Sequence, residues 1–180
     1  MGIWDSLLGA LVTAALSTLG DYLWANVLPH GRPAYGFAHG AILFFTVGFF
    51  LGRPSRQPMR GAIGGVLIGL GGTAGFYLLL LARGYYDAFV MFVMYAAVWI
   101  GLGLLTGRVL EKRDTVSGVF VRSGLAALGS GLGFYAVIQI WFPFDPHGWD
   151  YAKHFVYWTL AYLPAFAALL IQINRSSLRR

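Results

Sequence analysis

The sequence predicts an all-α, polytopic membrane protein: six transmembrane helices joined by short loops. Three observations carry that expectation. Of 180 residues, 58% are hydrophobic and only 11% charged, with a mean hydropathy of +0.66; a water-soluble domain of this length needs more charge to cover its surface. The apolar residues fall in six runs, at 6–27, 34–52, 61–82, 88–107, 118–142 and 154–173, each near the ~17–25 residues with which a tilted helix crosses a bilayer. The runs are continuously apolar, without the alternation of a lipid-facing strand, which favours helices over a barrel.

Taken in order, the first run has no basic leader and no small-residue cleavage site behind a short apolar core, so it reads as a retained span. The second follows a short link that carries His30 and Arg32. The third and fifth are rich in glycine, the fourth is the most uniformly apolar, and the sixth is interrupted by Pro164, where a kink is expected. The links are too short for a soluble domain, so residues 1–180 form one transmembrane domain whose function resides in the bundle or its turns. Cysteine is absent, which excludes disulfides and thiolate chemistry.

The net charge of +6 is distributed by topology. Arg53, Arg56, Arg60, Arg108, Lys112, Arg113, Arg175, Arg179 and Arg180 lie in even-numbered loops and the tail, against Arg32, Arg83 and Lys153 in the odd-numbered loops. This bias places the N- and C-termini and the even loops in the cytoplasm. The charges set orientation and touch anionic head groups, and no nucleic-acid partner is expected.

Helix 3 carries Gly61, Gly65 and Gly69 at fourfold spacing with Gly64, Gly71, Gly72 and Gly75, and helix 5 carries Gly124, Gly129, Gly131 and Gly133. Two readings stay open: close helix packing, or a groove filled by a lipid and walled by Phe76, Tyr77, Phe134 and Tyr135. "GLGGTAG" follows no strand and lies at membrane depth, so it is not a dinucleotide fingerprint. "GFYLLLLARGYYD" and "GFYAVIQIWFPFD" share Gly-Phe-Tyr and an aspartate at one distance, which suggests that helices 3-4 and 5-6 are copies of a hairpin.

His30, His39, His147 and His154 all fall toward the outer face, as do Asp21, Asp87, Asp145 and Asp150. Such a cluster is able to bind a metal or act as acid and base, but no metal-ligand spacing supports a metal site, and neither metal nor cofactor is expected. Asp21 stands apart, several turns into the first helix. A carboxylate in hydrocarbon costs ~2.5–3.5 kcal/mol or more, so it is expected to face the bundle, meet a donor or lie in the interfacial layer, with His39 on the next helix the nearest donor. Gln139 lies deep in helix 5, where its amide bridges helices or meets a ligand. Trp99 is expected inside the bundle, while Trp4, Trp24, Trp141, Trp149 and Trp158 fit the interfacial belts.

The fourth loop, "TGRVLEKRDTVSGV", and "YLPAFAALL" in the last span, together with six short-looped spans, resemble the insulin-induced gene (Insig) family of sterol-sensing membrane proteins and their smaller bacterial relatives. The resemblance implies a non-enzymatic bundle that binds a diacylglycerol-like or sterol-like lipid in an intramembrane cavity and that could assemble as a homo-oligomer. By the same resemblance Asp114 would stand where the family docks a partner membrane protein. The membrane would be the inner membrane of a bacterium or the endoplasmic reticulum of a eukaryote. Asp21, His39, Tyr77, Trp99, Tyr135 and Gln139 are the candidate ligand-binding residues, and no catalytic residue is assigned. The alternative is a membrane-embedded enzyme acting on lipid head groups through the outer His/Asp cluster. A transporter is disfavoured by the lack of a through-going file of charged residues.

Overall fold

The computed structural model describes residues 2–27, 33–83, 88–110, 115–141 and 147–170. Those residues form six helices: α1 (Gly2–Asn26), α2 (Pro33–Gly52), α3 (Pro58–Arg83), α4 (Ala88–Leu104), α5 (Val116–Trp141) and α6 (Asp150–Leu170). They match the six apolar runs to within a few residues, and no strand occurs among them. Among the described residues, four helical stretches are long and apolar enough to cross a membrane: Ile3–Asn26, Pro33–Gly52, Pro58–Arg83 and Phe92–Leu110. In α6 the lowered hydropathy has a visible source, because Tyr151, Lys153, His154, Tyr157, Trp158, Thr159 and Tyr162 punctuate its apolar residues.

The fourth run continues past its expected end. Beyond α4 the chain makes a π-helical turn, Leu105–Leu110, and α5 opens with Thr115 as its cap, whose Oγ1 accepts the Gly118 N–H at 3.1 Å. Between α2 and α3 the chain reverses within a few residues. Arg56 takes a left-handed φ of 58°, the Gln57 N–H donates to the Gly52 carbonyl at 2.9 Å, and the last turn of α2 is thereby closed.

The helices are arranged in sequence order around a core of Leu51, Trp99, Leu102, Tyr162, Phe166 and Leu169, and extensive packing of α1 on α6 closes the ring. The largest interface joins α2 to α3; those of α2 with α1 and of α3 with α4 are much smaller. The two suggested hairpin copies therefore do not pack alike, since α5 lies broadly on α6 and α3 narrowly on α4.

Glycine explains the α2–α3 interface, and the groove reading fails there. A Cβ added to Gly65 would run into the Phe44 carbonyl and lie 3.0 Å from the Gly48 Cα; added to Gly48 or Gly61 it would strike backbone of the other helix. With no side chains between them the two backbones touch, the close approach that holds helices together in lipid. Toward α4, Gly64 is covered by Leu105, Gly72 by Val98 and Gly75 by Met94. In α5, Gly129 makes room for Pro164, Gly131 for Phe92 and Gly133 for the Ala161 backbone. Of the glycines in α3 and α5, Gly71 and Gly124 face open space. At the other glycines of α3, and at Gly129, Gly131 and Gly133 of α5, neighbouring protein takes the space of the missing side chain. Pro164 is accommodated likewise: α6 runs through it, with Gly129 opposite.

Polar ties cluster at the end of the bundle that carries the α2–α3 turn. Arg53 pairs with Asp5 at 3.4 Å, Gln57 Nε2 donates to the Leu110 carbonyl at 3.0 Å, and the Arg122 guanidinium caps α6 through the Ala168 and Leu169 carbonyls.

Candidate functional site

Two helical stripes build the site. Thr13, Ser17 and Asp21 recur every four residues on α1, as do His154, Trp158, Tyr162 and Phe166 on α6, so each set lies on one face of its helix. The two faces meet antiparallel. Asp21 pairs with the start of α6, Ser17 with its middle and Ser6 with the Phe166 carbonyl at 3.3 Å.

Asp21 Oδ2 is the focus. His154 Nδ1 lies 3.0 Å from it, a contact that requires the Nδ1–H tautomer, and Trp158 Nε1 donates to the same oxygen at 2.7 Å. The His154 side chain is fully buried, whereas that of Asp21 retains 21% exposure. Among the described residues Asp21 Oδ1 has no hydrogen-bond partner. One oxygen is held by α6, and the other is an open acceptor.

The expected Asp21–His39 hydrogen bond does not form. His39 instead packs its ring on Gly20, where a Cβ would lie 2.6 Å from Nδ1, and Tyr35 stacks on that ring with centroids 5.7 Å apart. The Tyr35 hydroxyl donates to the Gly20 carbonyl at 2.5 Å. Gly20 thus lets α2 approach the α1 backbone beside the carboxylate, and His39 becomes a neighbour of Asp21 without being bonded to it. Around this point lie further rings: Trp24 is 5.2 Å from Tyr35, and Tyr22 meets Tyr151 edge-on at 5.4 Å. Asn26 Nδ2 donates to the Tyr151 hydroxyl at 2.6 Å.

One turn deeper, Ser17 Oγ and the Tyr162 hydroxyl share a hydrogen bond of 2.8 Å. Tyr95 and Trp99 gather beside Tyr162, with Ser130 next to Tyr95, yet Tyr95 Oη, Trp99 Nε1, Ser130 Oγ and Thr13 Oγ1 are buried without a partner in bonding geometry. Trp99 is indeed internal, at 0% exposure, but it packs against Tyr95, Tyr162 and Phe166. Replacing Tyr162 with phenylalanine leaves buried Ser17 without this bond, and a stability loss of about 1 kcal/mol is expected. Thermal unfolding in detergent measures it, and Tyr162→Phe/Ser17→Ala should recover part of the loss.

The remaining candidates separate. Tyr77 stacks on Phe37 at 5.8 Å, between α2 and α3, and Tyr135 is 43% exposed on the outside of α5; neither reaches Asp21. Tyr135 points away because its neighbour Phe134 takes the inward position, 4.7 Å from Tyr95. Gln139 lies in α5 with its side chain outside the described residues, and Asp114 lies outside them altogether. Of the outer cluster, His147 N–H donates to Asp150 at 3.3 Å and Lys153 pairs with Asp150 at 2.9 Å, while His30, Asp87 and Asp145 lie outside the described residues. Among the described residues, no group of three or more His, Asp or Glu side chains is placed to hold a metal ion.

His154 and Trp158 are the partners that sequence reasoning missed. Their fourfold spacing on α6, matched to Ser17 and Asp21 on α1, was the available signal. No family model matches the chain, and neither does any curated protein or solved structure.

Proposed function

We propose that this chain is an integral membrane protein that binds an apolar lipid carrying a neutral hydroxyl, of diacylglycerol-like or sterol-like type, without transforming it. The observation that supports this is the half-satisfied carboxylate of Asp21. His154 and Trp158 fix one oxygen of this partly exposed side chain, and the other would accept a hydrogen bond from a lipid hydroxyl. A charge-assisted bond of that kind contributes ~1.5–3 kcal/mol. The lipid body would lie along the small α1–α2 seam, where affinity comes from shape and dispersion, because a tail leaving lipid gains little hydrophobic energy.

On this reading all six helices span the membrane, with the even-numbered loops cytoplasmic as the charge bias indicates. The Insig resemblance agrees with the lipid and with a bacterial inner membrane or endoplasmic reticulum location. Asp21→Asn keeps the side-chain shape and an acceptor for Trp158 but removes the charge, so binding of a fluorescent diacylglycerol is expected to weaken about tenfold. Unchanged affinity would sink the assignment of Asp21.

A second reading rests on the Asp21–His154 contact, which has the geometry of an acid–base dyad able to act on a head group. It predicts turnover: chromatography of lipid extracts after incubation would show converted diacylglycerol or phospholipid that disappears in His154→Gln. Intact lipid throughout favours binding alone.

A further inference from the structure

We propose that the Asp21 site is switched by protonation of His39, which closes the open acceptor and releases the bound lipid at acid pH. The inference rests on the lipid-binding reading above and adds its regulation. Asp21 sits where three helices converge: α1 supplies the carboxylate, α6 holds its Oδ2 through His154 and Trp158, and α2 brings His39 against Gly20, one residue away. Tyr35 stacks on the His39 ring and donates to the Gly20 carbonyl, so both rings of α2 lie against the α1 backbone next to Asp21. The titratable groups around Asp21 are Tyr35 and His39 from α2 and His154 and, one turn deeper, Tyr162 from α6, among the described residues, with Tyr151 of α6 packed on His154 at 5.8 Å. Lys153 is engaged by Asp150.

Two histidines thus flank one carboxylate unequally. His154 already holds Oδ2, and its Nδ1–H bond exists whether or not the ring is charged. His39 is different, because as a neutral ring it makes no bond to Asp21. Protonation gives both ring nitrogens a hydrogen and a positive charge next to a carboxylate whose Oδ1 is open. A movement that brings the His39 ring and the Asp21 carboxylate together then forms a charge-assisted bond to Oδ1. That bond occupies the acceptor which the lipid hydroxyl would use. Proton and lipid compete for one oxygen, so each must weaken the other by the same factor.

The test uses the full chain reconstituted in phosphatidylcholine vesicles and titrated with fluorescent diacylglycerol at neutral and acid pH. Binding is expected to fall about tenfold between neutral and acid pH. His39→Gln should flatten this ratio, and His154→Gln should retain it. A pH-independent wild type, or an unchanged ratio in His39→Gln, overturns the switch while leaving lipid binding intact. A ratio lost only in His154→Gln overturns it too. Absence of saturable binding at any pH overturns the underlying lipid reading instead. If His39→Gln does not fold, nitrogen-15 imidazole shifts of histidine-labelled wild type decide: His39 must charge over the same range in which lipid is released, and a ring that stays neutral throughout refutes the proposal.

Discussion

Gly65→Leu is expected to abolish the folded bundle, with no monodisperse species surviving size exclusion in mild detergent. A leucine there would have to occupy space already filled by the Phe44 carbonyl and the Gly48 Cα. Backbone cannot step aside as a side-chain tip can, so α2 and α3 must separate along their whole contact. Overpacking of a tight core costs about 1–3 kcal/mol where side chains are able to adjust. Here the loss should exceed that range, because the largest helix pair in the molecule is pushed apart. Gly71→Leu on the same helix supplies the control. Nothing lies within 4 Å of a Cβ at Gly71, so that variant should elute and melt like the parent, with a gain of up to about 1 kcal/mol in helix propensity. Equal behaviour of the two variants would refute the backbone-contact account.

The second large effect belongs to Asp21. In His154→Leu the carboxylate keeps only Trp158, and a partly buried charge that loses a partner destabilises by about 2 kcal/mol, below the ~3–5 kcal/mol of fully buried pairs because Asp21 retains some exposure. Asp21→Leu/His154→Leu removes charge and partner together and should be more stable than His154→Leu alone. Unfolding measurements over this double-mutant cycle give the coupling directly. A double variant no better than the single one would mean that His154 acts through packing, not through Asp21.

The helices were legible because bilayer-length apolar runs leave the chain few alternatives, and the six runs and six helices agree closely. The π-helical turn at Leu105–Leu110 was not legible, since a shift from i→i+4 to i→i+5 bonding leaves no mark on hydropathy. The need of Asp21 for an internal donor followed from the cost of a charge in lipid. Its partner did not. Proximity in sequence favoured His39 across the α1–α2 loop, but closure of the ring brings α6 to α1, and ring closure is a tertiary fact that no single helix encodes. For the glycines, sequence left packing and groove open, and the decision lay in which atoms stand opposite each missing Cβ. Phe134 and Tyr135 show the same limit: adjacent aromatic residues point to different sides, so one is buried and the other exposed.

Lipid capture at Asp21 is tested most directly by native mass spectrometry of wild type and Asp21→Asn, each released from identical vesicles doped with diacylglycerol and a sterol, with extraction of the retained lipid. The account predicts one neutral hydroxyl-bearing lipid per wild-type chain and its loss from Asp21→Asn while the variant remains folded. Equal retention by both proteins, or a wild type that carries only the bulk phospholipid, would contradict it.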